Sequence, residues 1–191
     1  GSESNDTMLR MARRYWELHG QPERQVIISR WNGYHGSTMA GASLGGMKAM
    51  HSQGGLPIPG IVHIGQPYWF ECGGDLDPDE FGLQAARELE AKILEVGPEK
   101  VAAFIAEPVQ GAGGVIIPPR TYWPEVQRIV DRYGILFASD EVICGFGRTG
   151  EWFGCEHFGT RPDFMTLAKA ITSGYQPLGA LMVADRVAQV L

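Results

Sequence analysis

Three short apolar runs, each followed at once by a charged residue, stand out in the hydrophobic pattern of this chain. Runs of this length that end in turn signals are typical of strands buried on both faces of a parallel sheet. The runs, with the residue that follows each, are Val101–Ala106 with Glu107, residues 134–139 with Asp140, and residues 163–168 with Lys169. The pattern therefore predicts three strands that each carry a charged side chain at the carboxyl end.

Helical periodicity appears between these runs. Its clearest case is Pro78–Val96, which has an apolar residue at every fourth position through its middle and is followed by the stop signal Gly97-Pro98. Two further helices are predicted at residues 37–50, where small residues allow close packing on a sheet, and at residues 121–133.

The first twenty residues are predicted to form another helix. Apolar positions from Met8 to Trp16 follow the helical period. Asn5 and Asp6 precede them and are expected to cap the helix, and Gly20 is expected to end it.

The remaining segments decide the fold class. Residues 25–30 and 178–184 are predicted strands, and residues 51–77, rich in Gly and Pro, are predicted to form an ordered surface excursion. Strands that alternate with helices predict an α/β fold, with a mostly parallel sheet flanked by helices. A chain of 191 residues is long enough for one domain with a full core.

Composition and charge exclude several classes of function. A net charge of −6 and a pI near 5.4 argue against a nucleic-acid or membrane-surface partner. The sequence has no apolar stretch of membrane-spanning length, no signal-peptide pattern and no histidine or cysteine spacing that suits a metal. Three cysteines without a CxxC spacing indicate reduced thiols, and therefore a cytoplasmic protein.

The charged residues after the three runs are the candidate chemistry. Ligands of open α/β sheets bind beyond the carboxyl ends of the strands, so Glu107, Asp140 and Lys169 are expected to share one site. Burial would desolvate Lys169, one of only four lysines, and favour the neutral amine that forms a Schiff base with a carbonyl cofactor. Asp140 precedes a glycine-rich segment with no helix to cap, so it is expected to need a cation such as a protonated ring nitrogen.

Each of these residues also has a structural alternative. Lys169 could pack its stem and keep its ammonium in water. Glu107, which precedes Pro108, could simply form a turn, as acidic residues after strands often do.

Five short motifs together resemble the class III aminotransferases, pyridoxal-phosphate enzymes of the fold-type I superfamily. The resemblance extends over the whole chain. The motifs are GSExN at 1–5, YHG at 34–36, EPVQG at 107–111, DEV at 140–142 and LAK at 167–169. The resemblance implies that residues 1–191 are part of the large, pyridoxal-phosphate-binding domain. It also implies that an N-terminal segment and a C-terminal small domain lie outside this chain.

The resemblance implies a role for each residue around the cofactor ring. Lys169 would form the Schiff base with pyridoxal 5′-phosphate and then move the proton as acid and base. Asp140 would pair with the pyridinium nitrogen and keep it protonated. Tyr34 would stack on one face of the ring, and Val142 would pack on the other.

The same resemblance assigns the cofactor's other groups. Gly1 and Ser2 would offer backbone N–H groups, and Ser2 its hydroxyl, to the phosphate at a helix N-terminus. Glu107 would orient the ring hydroxyl or Asp140 through hydrogen bonds. His35 would contact Asp140, and through it act on the cofactor.

Two segments, DEVIxGFGRTG at 140–150 and SGYQPLG at 173–179, are similar to the polyamine:pyruvate and β-alanine:pyruvate branch of the family. Ile143 stands where the ornithine and γ-aminobutyrate relatives usually have glutamine. Ala170 and Ser4 stand where the family is expected to have glycine and alanine, and both are small. The branch implies transfer of an amino group from an ω-amine or ω-amino acid to pyruvate or a related keto acid, in a homodimer whose active site lies at the subunit interface.

Two alternatives remain open at this point. A decarboxylase or an aminomutase on the same scaffold would share Lys169 and Asp140. A non-catalytic scaffold protein would keep the fold without binding the cofactor.

Overall fold

A computed structural model describes residues 1–190 and contains one six-stranded sheet in the order β2-β1-β3-β4-β5-β6. Neighbouring strands are parallel except β6, which is antiparallel to β5. The strands are β1 (Val26–Arg30), β2 (Ile61–Ile64), β3 (Val101–Ala106), β4 (Leu136–Asp140), β5 (Phe164–Leu167) and β6 (Ala180–Val183). The predicted α/β fold with a mostly parallel sheet is confirmed.

Helices cover both faces of this sheet. They are α1 (Ser2–Leu18), α2 (Met39–Leu44), α3 (Lys48–His51), α4 (Trp69–Cys72), α5 (Pro78–Val96), α6 (Tyr122–Tyr133), α7 (Gly154–His157) and α8 (Asp185–Ala188). Short 3₁₀ turns follow α5 at Pro98–Lys100 and β5 at Lys169–Ile171. The predicted helix at Pro78–Val96 is confirmed residue for residue, and the one at 121–133 begins one residue later.

The core consists of two apolar clusters, one on each face of the sheet. Helices α5 and α6 pack on one face, where Leu89 and Val126 meet Phe137 of β4. Helix α1 packs on the other face, and its Trp16 donates its indole N–H to the Ala102 carbonyl at 2.9 Å. Strands β3 and β4 are buried along their whole length, which explains their continuous apolar runs.

Helix α1 starts earlier than predicted. Ser2 is its first residue and Gly1 its N-cap, so the expectation that Asn5 and Asp6 cap the helix is wrong. The prediction failed because both side chains form hydrogen bonds with other segments and not with the helix end. Asn5 bonds to Asp140, and Asp6 accepts from the Thr38 hydroxyl.

The predicted helix at 37–50 is broken in two. Thr38 caps α2, accepting from the Gly41 N–H at 3.1 Å, and the helix stops at Gly45. A Cβ at Gly46 would overlap the carbonyl of Arg30, so the chain approaches β1 too closely there for a regular helix.

The predicted surface excursion at 51–77 contains an unforeseen strand, β2. Its four residues pair in parallel with β1, and Ile61 and Ile64 are buried. So short a run, set among Gly and Pro, gives a weak strand signal; its pairing with β1 decides the structure.

Candidate active site

A cleft of about 570 Å³ opens at the carboxyl edge of the sheet. The carboxyl ends of β3, β4 and β5 contribute to it, together with the loop after β1 and the first turn of α1. All eight residues predicted for the site line this cleft: Gly1, Ser2, Tyr34, His35, Glu107, Asp140, Val142 and Lys169. The topology therefore brings together residues that are up to 168 positions apart in the sequence, the separation of Gly1 and Lys169.

Asp140 is 2% exposed and accepts three hydrogen bonds. Its Oδ2 accepts from His35 Nδ1 at 2.7 Å and from Asn5 Nδ2 at 2.9 Å, and its Oδ1 accepts from the Val142 N–H at 3.1 Å. Burial by itself would raise the pKa of Asp140, but the hydrogen bond and charge of His35, with the bonds from Asn5 and Val142, hold that pKa below its ordinary value. The cleft thus contains a carboxylate that stays ionised and can pair with a cation.

Asn5 is a site residue that the sequence analysis took for a helix cap. It is 1% exposed, and its Nδ2 donates both to Asp140 and to the His35 carbonyl at 2.8 Å. A signal was present, because Asn5 falls on the buried stripe of α1, three and four residues before Met8 and Leu9. A polar residue on the apolar face of a helix usually has a specific buried partner.

Removing the Asn5 amide should weaken the hold on Asp140. We expect Asn5→Ala to lower the affinity of the full-length protein for pyridoxal phosphate, the cofactor that the resemblance implies, by about tenfold, and Asn5→Asp to lower it further. The aspartate has the same shape but places a second carboxylate about 3 Å from Asp140. Titrating the apoprotein with pyridoxal phosphate measures both affinities. Equal affinities for wild type and Asn5→Asp would contradict the role of Asn5.

Glu107 joins two loops at the bottom of the cleft. It is 2% exposed, and its carboxylate accepts from the N–H groups of Tyr34 and Gly111, each at 3.0 Å. It makes no hydrogen bond to Asp140, so that half of the expectation for Glu107 is not met. Contact with the ring hydroxyl stays a prediction. Burial raises the pKa of Glu107, and the nearby His35 and the two N–H donors offset this only in part.

The raised pKa of Glu107 predicts a specific pH dependence of stability. The folded protein binds this proton more readily than the unfolded chain, so the free energy of unfolding should fall as pH rises from the ordinary value of 4.5 through the folded-state pKa. Above that pKa the contribution is constant. Glu107→Gln removes the titration, so the difference between wild type and variant, measured by urea unfolding from about pH 4 to pH 8, should change only in that window. A difference that is flat across the range would contradict the prediction.

Lys169 lies directly beyond β5 but is exposed, so the expectation that burial desolvates it is wrong for this chain. Leu167 and Ala168 are buried and end the strand. Lys169 then takes a left-handed conformation, with φ of +46°, that turns the chain out of the sheet into a 3₁₀ turn. This backbone is uncommon for a residue with a side chain, and such conformations concentrate at functional sites.

The first turn of α1 forms the opposite wall of the cleft. The first N–H groups of a helix have no partner within it, and the helix dipole favours an anion there. The Ser2 hydroxyl accepts from the Ser37 N–H at 3.1 Å, which joins the turn to the loop after β1. Gly36 is needed at this junction, because a Cβ would lie 2.5 Å from Ser2 Oγ.

The chemical groups around the cleft fit pyridoxal phosphate. The helix N-terminus suits its phosphate, the ionised Asp140 suits a protonated ring nitrogen, and the primary amine of Lys169 suits its aldehyde. Tyr34 and Val142 are half-buried and also line the cleft.

Residues 1–190 contain no group of three or more His, Cys, Asp or Glu side chains placed to hold a metal ion. None of their helices combines the length and the apolar character needed to cross a membrane.

Relatives of known function match the chain along its length. A putrescine–pyruvate aminotransferase of Pseudomonas aeruginosa is 66% identical over 191 residues, which are 100% of this chain and 42% of that protein. A diaminobutyrate–2-oxoglutarate transaminase of Halomonas elongata is 46% identical over 194 residues, covering 100% of this chain and 41% of that protein. The chain thus spans less than half the length of these relatives.

Solved structures show the same architecture. An (S)-enantioselective ω-transaminase from Thermomicrobium roseum superposes with a TM-score of 0.95 at 48% identity, covering 100% of this chain and 42% of that one. An ω-transaminase from Pseudomonas jessenii in complex with PMP gives 0.97 at 47% identity, with coverage of 99% and 42%. The family model for class III aminotransferases matches residues 1–191. The chain therefore belongs to the class III aminotransferases, whose cofactor is pyridoxal phosphate.

Proposed function

We propose that the full-length protein transfers an amino group from an ω-amine or ω-amino acid to pyruvate or a related keto acid, with pyridoxal phosphate as cofactor. The observation that carries the proposal is the shared cleft, in which a buried, ionised Asp140 and the amine of Lys169 stand at the ends of adjacent strands. The 66% identity to a putrescine–pyruvate aminotransferase supports an amine donor and pyruvate as acceptor.

Four residues have proposed roles around the ring. The bound cofactor supplies an aldehyde that takes up the amino group and a ring that withdraws electrons from the reacting carbon. Lys169 would hold the cofactor through its aldehyde carbon, and its amine would serve as the acid and base that moves the proton of the reacting carbon. Asp140 holds the proton on the ring nitrogen. Tyr34 and Val142 cover the two faces of the ring and exclude water from it.

The remaining site residues hold the ends of the cofactor and its ring substituents. Gly1 and Ser2 bind the phosphate through the N-terminus of α1. Glu107 orients the ring hydroxyl. His35 keeps Asp140 ionised through its 2.7 Å hydrogen bond.

A second, largely apolar cleft of about 1030 Å³ adjoins the first and supports a donor with a carbon chain. The two clefts share Val142, Ile143, Lys169 and Gly174. Val115 and Ile117 line the second cleft and are each 67% exposed. Methylene groups of a diamine or an ω-amino acid would pack there while the reacting amine points to Lys169.

The proposal includes the wider setting of the chain. Residues 1–191 form part of the large, pyridoxal-phosphate-binding domain of a homodimer whose active site lies at the subunit interface. A cytoplasmic location is supported by Cys72, Cys144 and Cys155, which are all free thiols.

Borohydride treatment of the full-length protein loaded with pyridoxal phosphate tests the proposal. Reduction should attach the cofactor irreversibly to the peptide that contains Lys169, as mass spectrometry would detect. With putrescine or β-alanine present, pyruvate should be converted to alanine. Release of carbon dioxide without alanine would favour a decarboxylase, and folded protein that gains no absorbance near 400–430 nm with the cofactor would favour a non-catalytic scaffold.

A further inference from the structure

Arg30, at the end of β1, is the one Arg or Lys among residues 1–190 that is fully buried, with 1% of its surface exposed. Within those residues no carboxylate lies in ion-pair range of its guanidinium. A buried charge without a counter-ion is unfavourable unless other contacts compensate for it. The contacts of Arg30 therefore have to compensate for the cost of burying its charge.

Those contacts are one main-chain carbonyl and two aromatic side chains. Nη2 donates to the Glu107 carbonyl, and Nη1 to the Tyr122 hydroxyl at 3.5 Å. The guanidinium carbon lies 5.5 Å from the ring centre of Trp123 and 5.7 Å from that of Tyr122, within the range of cation–π attraction. Nε has no partner. The bond to Glu107 is thus the most directional contact that Arg30 makes.

The Glu107 carbonyl lies where the chain leaves β3 for the cleft. The next carbonyl, that of Pro108, accepts from Trp123 Nε1 at 3.1 Å, so Arg30 and Trp123 hold two consecutive carbonyls. The Glu107 carboxylate lines the cleft on the other side of the same residue. Because the peptide unit is planar, fixing its carbonyl limits the directions in which the Glu107 side chain can leave the backbone.

We propose that Arg30 is a positioning residue of the cleft: it fixes the main chain of Glu107 and thereby holds the Glu107 carboxylate against the cofactor. This inference rests on the proposed function, which places Glu107 at the cofactor ring. An apolar residue of similar volume would serve stability alone as well or better than an unpaired buried cation. A charged donor on a main-chain carbonyl instead gives a strong and directional bond, which is what positioning requires.

The test is a double-mutant cycle on cofactor affinity in the full-length protein, measured by titrating the apoprotein with pyridoxal phosphate. Arg30→Met should weaken binding about tenfold, and less than about twofold when Glu107 is already alanine. Arg30→Lys, which keeps one cationic donor, should recover most of the affinity. Val126→Ala is the matched control: it truncates a buried residue of the core cluster beside Trp123, so it should lower the melting temperature without changing the affinity.

Two results would overturn the role of Arg30. One is equal weakening by Arg30→Met with and without the Glu107 carboxylate. The other is a loss of cofactor affinity in Arg30→Met that is no greater than the loss in Val126→Ala, when the two variants have the same loss of melting temperature. If Arg30→Met does not fold, Arg30→Lys decides, measured in protein with Glu107 and in protein with Glu107→Ala. Cofactor affinity should then fall about threefold only when Glu107 is present. Wild-type protein that binds no pyridoxal phosphate would refute the proposed function, and the role of Arg30 with it.

Discussion

Lys169→Ala is expected to lower transaminase turnover of the full-length protein by about 10⁴-fold, because one amine is proposed both to bind the cofactor and to move the proton. No other lysine among residues 1–190 lines the cleft, so none there can replace it. Steady-state conversion of pyruvate to alanine with a saturating amine donor measures the loss. Borohydride should also fail to attach the cofactor to the variant.

A second lysine provides the control for this prediction. Lys92 lies on α5 and pairs with Glu95 at 2.7 Å, away from the cleft. Lys92→Ala removes the same functional group from an exposed pair of small energetic value, so turnover should stay at the wild-type level. Turnover of Lys169→Ala that matches Lys92→Ala would refute the role of Lys169.

The sequence predicted the parts of the site that depend on strands buried on both faces. Glu107, Asp140 and Lys169 each follow a short, mostly apolar run, and the carboxyl ends of adjacent parallel strands meet at one edge. Topology alone then places the three residues together. The contact between His35 and Asp140 was predicted only through the family resemblance, since the residues lie 105 positions apart and no local pattern links them.

Features set by contacts between distant segments were missed. Asn5 is a residue type that often caps helices, and although it falls on the buried stripe of α1, its partner Asp140 lies 135 positions away in the sequence. The break of the helix at Gly46 comes from close approach to the Arg30 carbonyl. The sequence analysis expected Lys169 to be buried because it follows an apolar run. The buried part of that run ends at Ala168, and at Lys169 the backbone turns out of the sheet.

The most discriminating prediction concerns Asp140, because it separates pyridoxal-phosphate chemistry from a generic lysine site. Asp140→Asn leaves a neutral partner that cannot hold a proton on the ring nitrogen. We expect turnover to fall about a thousandfold, equivalent to roughly 4 kcal/mol of barrier, with the cofactor still bound to Lys169. Absorbance of the bound cofactor and steady-state turnover, measured on the same full-length preparation, separate binding from chemistry.

The hydrogen bonds of Asp140 indicate how the amide will sit and which control is needed. An asparagine oxygen in place of Oδ2 keeps the bonds from His35 and Asn5, while its NH₂ group faces the Val142 N–H and loses that bond. The loss should destabilise the protein by about 1–3 kcal/mol without unfolding it. Asp163 is a second buried carboxylate, 5% exposed and outside the cleft, that accepts from the Phe137 N–H at 2.9 Å and also pairs with Arg186. Asp163→Asn should therefore lower stability at least as much as Asp140→Asn but leave turnover unchanged. Turnover of Asp140→Asn within about threefold of wild type would instead reduce Asp140 to a turn residue.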